Sequence, residues 1–407
     1  MTAVKNGNQT PAGERVHIAF FGRRNVGKSS LMNAFTGQDL SVVSPVEGTT
    51  TDAVYKAMEL LPLGPVVLID TPGLDDTGEL GEKRVQKAEQ VMRKADIAVV
   101  VAEAAAPLGE SERKLISEFE KREIPWLLVY NKEDLAEDKA DLPEKGIDEK
   151  RILRVSAKTG FHIRELKERV AALLPGETAQ KPLIGDLLSQ GDTVVLVVPI
   201  DAGAPKGRLI LPQQQVIRGV LEAGASALVC RDSELEETLQ KLVSPPGLVV
   251  TDSQVFDKVN RIVPKSVPLT SFSILMARYK GDLAQLVEGA SALERLGDGD
   301  RVLICEGCTH HRQCEDIGTV KIPNLIRRYT GIKQSVCEPA FSFTSGTEFP
   351  TDVSSYKLVV HCGGCMLNRR EMQYRLERCR EQGVPVTNYG VLIAYLNEIL
   401  ERAVRIF

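Results

Sequence analysis

The chain has 407 residues, and at about 150 residues per domain that length predicts two or three domains. Hydrophobic residues make up 43% and charged residues 26%, which supplies ample buried core. It excludes a mainly disordered chain, a fibrous repeat and a small disulfide scaffold. Lys and Arg number 51 against 55 Asp and Glu, for a net charge of -4, so the basic excess usual in a nucleic-acid binder is absent and such a partner is disfavoured.

Met1 to Arg15 is polar and has no apolar stretch of signal-peptide length. No apolar run reaches the roughly 18 residues that a membrane helix needs. The run from Ile97 to Ala106 comes nearest and is interrupted by Glu103. A cytoplasmic protein with no membrane partner is expected. In that reducing compartment, cysteines serve as thiols or metal ligands rather than disulfides.

Val16 to Phe21 opens a series of short apolar runs that alternate with longer amphipathic stretches. Val66 to Asp70, Ile97 to Val101, Trp126 to Tyr130 and Ile152 to Val155 read as buried strands. Lys28 to Thr36, Lys83 to Lys94, Ser111 to Arg122 and Ile163 to Leu174 read as helices. The alternation predicts right-handed crossovers and an α/β domain with a parallel-rich sheet over residues 1–178. Pro175, Gly176 and the segment from Thr178 to Pro182 mark a linker. A second α/β domain is expected at 183–263, with strands at Thr193 to Val198, Ala227 to Cys230 and Leu248 to Thr251. Its helices are expected at Gln213 to Ala223 and Leu235 to Leu242. A third, at 264–407, has strands at Arg301 to Cys305 and Lys357 to His361. Helices follow near Ile322 to Tyr329, Arg369 to Glu381 and Val391 to Ala403.

Directly after the first strand stands Gly22-Arg-Arg-Asn-Val-Gly27-Lys28-Ser29, a complete G-x-x-x-x-G-K-S. Its glycines let successive backbone N–H groups face phosphates, and the following helix adds its positive end. Asn25, Val26, Gly27, Lys28, Ser29 and Ser30 would surround the phosphates. Lys28 would reach the β- and γ-phosphates, and Ser29 would ligate magnesium. Asp70-Thr71-Pro72-Gly73 ends another strand, where Asp70 can hold magnesium through water and the Gly73 N–H suits the γ-phosphate. Asn131-Lys132-Glu133-Asp134 and Ser156-Ala157-Lys158 follow two further strands. An Asp134 carboxylate can accept from the N1–H and 2-amino groups of guanine, a pair that adenine lacks. Lys132 can pack along the purine, and the Ala157 N–H can meet the guanine O6.

This motif set resembles the translation-factor-like GTPases, especially the branch with Era and the tRNA-modifying GTPases, over about 160 residues. The resemblance implies GTP and Mg2+ as cofactors. It makes Thr50, in Gly48-Thr49-Thr50-Thr51-Asp52, the magnesium ligand that senses the γ-phosphate. Lys28, Thr50 and Gly73 are then the catalytic set. Leu74 stands where many small GTPases carry a water-orienting Gln, which implies slow intrinsic hydrolysis. Asn25 matches members that use K+ as an activating cation; a turn-forming Asn is the equal alternative on residue type.

The cysteines gather late. One cluster reads Cys305-Glu-Gly-Cys308-Thr-His310-His311 and the other His361-Cys362-Gly-Gly-Cys365, each after an apolar strand. A structural zinc site on Cys305, Cys308, Cys362 and Cys365 is one reading. Its pairs lie 53 residues apart, however, and zinc ribbons separate theirs by roughly 15 to 20. Three cysteines with a histidine also suit an iron–sulfur cluster, so residue chemistry leaves both open. Cys230 ends a buried strand and reads as core, and Cys314, Cys337 and Cys379 lack ligand spacing and read as inert thiols. His17, His162 and Trp126 read as packing or surface residues.

Cys308, His310, His361, Cys362 and Cys365, with 50 residues between the two histidines, resemble the signature of the hydrogenase-maturation GTPases of the HydF family. The order of domains resembles that family over nearly the whole chain. The resemblance implies a 4Fe-4S cluster on the three cysteines, with the fourth position shared with histidine. It also implies a GTP-hydrolysing scaffold that carries a diiron subcluster as cargo. The partners implied are apo FeFe hydrogenase, radical-enzyme maturases and a second copy of the chain bound through the middle domain. The rival is an RNA-modification or ribosome-assembly GTPase with a structural zinc domain. A third reading is a zinc-stabilised interaction protein switched by its GTPase.

Overall fold

The computed structural model describes residues 10–37, 53–73, 79–136, 146–174, 182–200, 209–307, 316–330, 340–346 and 348–407. Thr50, Leu74, Cys308, His310, His311, Cys314 and Cys337 lie outside the described residues. The chain divides into two compact units, Met1–Ala179 and Gln180–Phe407.

In the first unit the elements are β1 (Val16–Phe21), α1 (Lys28–Thr36), β2 (Val54–Leu60), β3 (Gly64–Asp70), α2 (Glu79–Lys94), β4 (Ile97–Glu103), α3 (Glu110–Lys121), β5 (Trp126–Asn131), β6 (Ile152–Arg154) and α4 (Ile163–Ala172). The sheet order is β2-β3-β1-β4-β5-β6, parallel throughout except for the antiparallel β2–β3 pair. Successive side chains of a strand point to opposite faces, so β1 feeds two cores at once. Ile18 and Phe20 enter one with Leu31 and Phe35 of α1. Ala19 and Phe21 enter the other with Phe119 of α3. Each fully buried Leu, Ile or Phe contributes about 1.5–3 kcal/mol, so these strands need no alternating polar pattern. Strand β2 escapes a sequence reading because it is an edge strand carrying Lys56 and Glu59 among its apolar residues.

The second unit holds two further sheets. Its first part contains β7 (Thr193–Val197), α5 (Leu211–Glu222), β8 (Ser226–Cys230), α6 (Leu235–Gln240), β9 (Leu248–Thr251), α7 (Phe256–Ile262), β10 (Leu269–Ser271) and α8 (Phe272–Lys280). They form a parallel sheet of order β10-β9-β7-β8. The division expected at 263/264 falls between α7 and β10, yet β10 pairs with β9, so the middle sheet runs past it. After α9 (Leu283–Ala290) come β11 (Arg301–Glu306), α10 (Ile322–Thr330), β12 (Ala340–Ser345), β13 (Leu358–His361), α11 (Arg369–Glu381), β14 (Val386–Asn388), α12 (Tyr389–Leu396) and α13 (Leu400–Val404). This sheet is also parallel, in the order β12-β11-β13-β14.

One hydrophobic cluster joins Val195 and Val249 of the middle sheet to Leu303 and Val359 of the last. That shared core is why 180–407 packs as one unit although the sequence separates two segments. The single helix expected from Val391 to Ala403 is instead two, broken where Glu398 takes a φ of 57°. Cys230, Cys379 and Trp126 are buried, as their apolar surroundings require. Among the described residues no helix is long and apolar enough to cross a membrane.

Candidate functional site

In all three sheets an early strand has later strands on both sides: β1 between β3 and β4, β7 between β8 and β9, β11 between β12 and β13. Chain connections diverge at such a point and leave a crevice at the carboxyl ends of the strands. The predicted motifs lie at the first and third of these edges.

At the first edge, the turn after β1 is shaped by Gly27, whose φ is 90°. A Cβ there would lie 2.4 Å from Asn131 Nδ2, so only glycine permits this approach. Asn25 has a φ of 63°, a conformation that Asn tolerates better than most residues. Val26 is buried in the core below the loop. The Lys28 ammonium is buried and donates to the carbonyls of Gly22 at 3.0 Å and Arg23 at 2.7 Å, which folds its side chain back over the loop. Gly73 lies against the same loop, since a Cβ on it would come within 2.9 Å of the Arg24 nitrogen.

Asp70, at the end of β3, accepts a hydrogen bond from the Ser29 hydroxyl. Burial raises its pKa, opposed by the Ser29 hydrogen bond and then by the charges of Lys28 and Lys56. Its Oδ1 is buried without a hydrogen-bond partner among the described residues. A hard, desolvated oxygen next to a serine hydroxyl fits the donor preference of magnesium. Ser30 is exposed on the first turn of α1. Sequence reasoning missed Lys56, a buried cation on β2 whose ammonium bonds Asn33; nothing in the motif pattern marks it.

Asn131 ties the edge together. Its Nδ2 donates to the Val26 carbonyl at 3.0 Å, while its Oδ1 accepts from the Ala157 N–H at 3.0 Å. Asp134 Oδ1 accepts from Ser156 Oγ at 2.6 Å, and Asp134 Oδ2 lies 4.0 Å from Lys158 Nζ. Lys132, at a φ of 65°, reaches Glu103 at 2.9 Å. The two motif loops, Asn131 to Asp134 and Ser156 to Lys158, are thus locked to each other and to the loop after β1.

At the third edge, strand register brings the two cysteine segments together. Cys305 pairs with His361 across β11 and β13, and the Cys362 N–H donates to the Cys305 carbonyl at 2.8 Å. Cys362 Sγ then accepts from the backbone N–H of Gly307 at 3.0 Å and of Gly364 at 3.4 Å. Burial pushes the Cys362 thiol up to about 11 despite those two donors. Cys305 is fully buried and pushed up to about 12, again by desolvation, and its place in the shared core makes it a packing residue. Cys365 is half-buried four residues after His361. Among the described residues no three His, Cys, Asp or Glu side chains gather as a metal site.

His361 is held on both ring nitrogens. Arg375 Nη1 stands 2.9 Å from Nε2, and the Cys362 carbonyl lies 2.8 Å from Nδ1. Arginine only donates, so Nε2 accepts and the proton sits on Nδ1. Burial and then the Arg375 charge lower the His361 pKa to about 3, keeping the ring neutral. Arg375 is itself buried and pairs with Glu371 at 2.9 Å. The i,i+4 spacing of Glu371 and Arg375 is readable in the sequence, but their burial and their reach to His361 are not.

Residues 284–406 match the Hydrogen maturase F tetramerization domain and residues 183–281 the Hydrogen maturase F dimerization domain. Residues 17–132 match the 50S ribosome-binding GTPase family. A tRNA modification GTPase MnmE from Chromobacterium violaceum is 35% identical over 162 residues, covering 40% of this chain and 35% of that protein. A GTPase Era from Caldicellulosiruptor saccharolyticus is 32% identical over 165 residues, covering 39% of this chain and 55% of its own. The chain therefore spans about a third of the first relative and about half of the second. The G domain of the T. maritima FeoB iron transporter aligns at 26% identity with a TM-score of 0.31, covering 39% of this chain and 98% of that one. In this chain a GTPase-family model covers β1 to β5 of the first sheet, and two domains of one family cover the second and third sheets: the chain belongs to the hydrogen maturase F family.

Proposed function

We propose that the protein hydrolyses GTP with Mg2+, holds a 4Fe-4S cluster on Cys308, Cys362 and Cys365, and carries a diiron subcluster to apo FeFe hydrogenase. The observation that carries the reading is the meeting of the two cysteine segments at one sheet edge, where Cys362 Sγ accepts from Gly307 and Gly364. Backbone N–H donors of this kind stabilise a thiolate, the form that binds iron. A cluster held there would supply soft thiolate-bound iron with one exchangeable position. His310 or His361 would fill that position, and His361 would first have to release Arg375 or the Cys362 carbonyl. In the first unit Lys28 would transfer its hydrogen bonds from the loop carbonyls to phosphate oxygens. Ser29 and Thr50 would hold the magnesium, with Asp70 behind them. K+ beside Asn25 belongs to the same proposal, as do the radical-enzyme maturases as partners and the cytoplasm as location.

Anaerobic reconstitution followed by iron and acid-labile sulfide analysis tests the reading. Iron and sulfide in equal amounts support it, and stoichiometric zinc without sulfide replaces it with the structural-zinc reading. The tRNA-modification alternative has support from the first unit alone, where the MnmE likeness ends.

Guanine selectivity is expected to rest on Asp134. In Asp134→Asn one acceptor becomes a donor facing the guanine N1–H and 2-amino group, which weakens GTP binding by about 1–3 kcal/mol. Xanthosine triphosphate, with a carbonyl at C2, is expected to bind that variant better than the parent. Competition by ATP equal to that by GTP in the parent protein would remove the assignment.

Dimerisation through the middle sheet has a structural candidate in β8. It is the last strand of its sheet, and Leu228 and Val229 are 36% and 45% exposed on it. An apolar edge strand invites pairing with another chain, and an edge lysine opposes it. Val229→Lys is expected to shift the protein from dimer toward monomer in size-exclusion with light scattering. An unchanged dimer would put the interface elsewhere.

A further inference from the structure

Helix α8 ends in a buried lysine that the motif chemistry does not use. Ser271 caps the helix by accepting from the Ile274 N–H, and the following turns bury Phe272, Ile274, Leu275, Met276 and Ala277. Lys280, in the last turn, is 1% exposed. Its ammonium donates to the carbonyls of Leu367 at 2.7 Å, Cys365 at 3.1 Å and Gly364 at 3.4 Å. The same face of α8 carries the rest of this edge. A Cβ on Gly363 would lie 3.6 Å from Ser273 Oγ and 4.0 Å from Met276 Cβ. Ser273 also accepts from Asn388 Nδ2 at 3.0 Å through its carbonyl and from the Gly390 N–H at 3.2 Å through Oγ. Ser273, Met276 and Lys280 are spaced by three and four residues, so they form one stripe of the helix.

We propose that Lys280 is a positioning residue for the cysteine loop: its ammonium fixes the carbonyls of Gly364, Cys365 and Leu367, and so sets the direction of the Cys365 thiolate. It lies inside the matched dimerization segment, 183–281, whereas the loop lies inside the tetramerization segment, 284–406. The lysine therefore couples the middle sheet to the metal edge of the last. An ammonium supplies three N–H donors and accepts nothing, which suits a convergence of three carbonyls. Gly364 makes the convergence possible, since its φ of 63° turns the loop back in a conformation that strains most other residues. The added positive charge favours thiolates and a reduced cluster; this part of the inference rests on the cluster reading above.

The test separates the two. In metal-free protein, Lys280→Met keeps the length of the side chain and removes all three donors. Hydrogen exchange at the Gly364 and Leu367 amides, which are bonded to Cys362 Sγ and the Gly364 carbonyl, is expected to speed up by about tenfold or more. Lys280→Gln retains an amide donor and is expected to fall between. After anaerobic reconstitution the midpoint potential of Lys280→Met is expected to move to more negative values, with lower iron retention. In the wild-type protein, acetylation with an amine reagent is expected to spare Lys280 while modifying exposed Lys265. Unchanged exchange in Lys280→Met, or acetylation of Lys280 as fast as Lys265, overturns the proposal. If both variants fail to fold, the acetylation of the wild type decides alone. Absence of iron and sulfide in the reconstituted wild type would sink the cluster reading and leave the exchange result standing.

Discussion

Lys28→Ala is expected to lower GTP turnover by about 10²–10³-fold, the loss typical of removing one group that stabilises transition-state charge. The ammonium sits on the phosphate loop, bound only 3.0 Å and 2.7 Å from the Gly22 and Arg23 carbonyls. Alanine leaves those carbonyls without this donor and the phosphates without the charge. Iron content after reconstitution is expected to stay at the parent level, because Lys28 and the cysteine loop belong to different compact units. Phosphate release measured beside iron content checks both parts. Parent-level turnover would remove Lys28 from the catalytic set. Running the parent assay in potassium and in sodium salts reads Asn25: equal rates leave it as a turn residue.

Cys362→Ser, Cys365→Ser and Cys308→Ser are each expected to lose most of the reconstituted iron and the activation of apo-hydrogenase, while GTP turnover persists. A serine hydroxyl is a hard, weakly acidic donor and cannot replace a thiolate on iron. At Cys362 the loss reaches further, since its Sγ accepts from Gly307 and Gly364 and so joins the two cysteine segments. His310→Ala and His361→Ala are expected to keep a 4Fe-4S signal with altered spectra and to lose delivery. Imidazole is the weaker and more exchangeable ligand, and a carrier needs one bond that releases. His361→Ala also deprives Nη1 of the buried Arg375 of its acceptor, so a lower thermal midpoint is expected for it. Full hydrogenase activation by all three cysteine variants would sink the scaffold reading.

The sequence by itself determined the local elements that follow its motifs. The strand β1 and helix α1 were legible with the same bounds as in the structure because a run apolar except for His17, followed by G-x-x-x-x-G-K-S and an amphipathic stretch, has one economical fold. The loops at Asn131 to Asp134 and Ser156 to Lys158 were placed at strand ends because each motif stands at the end of an apolar run; their reading of the base remains an expectation. Thr50, Cys308 and His310 remain assigned through sequence alone, since they lie outside the described residues. What the tertiary structure decided is long-range. The edge strands β2 and β12 pair antiparallel and parallel respectively; Lys56 and Glu59 break the period of two in β2, and β12 is short, largely unburied and has only Phe341 and Phe343 as large apolar residues. The convergence of Cys305 and His361, the burial of Arg375 against His361, and the reach of Lys280 to three carbonyls join residues distant in sequence or turn on burial. A single charged residue at a helix end or on a helix face reads as solvated surface. Only the packing of one sheet against another withdraws it from water, and a charge so withdrawn must find the partners that make it a working part of the site.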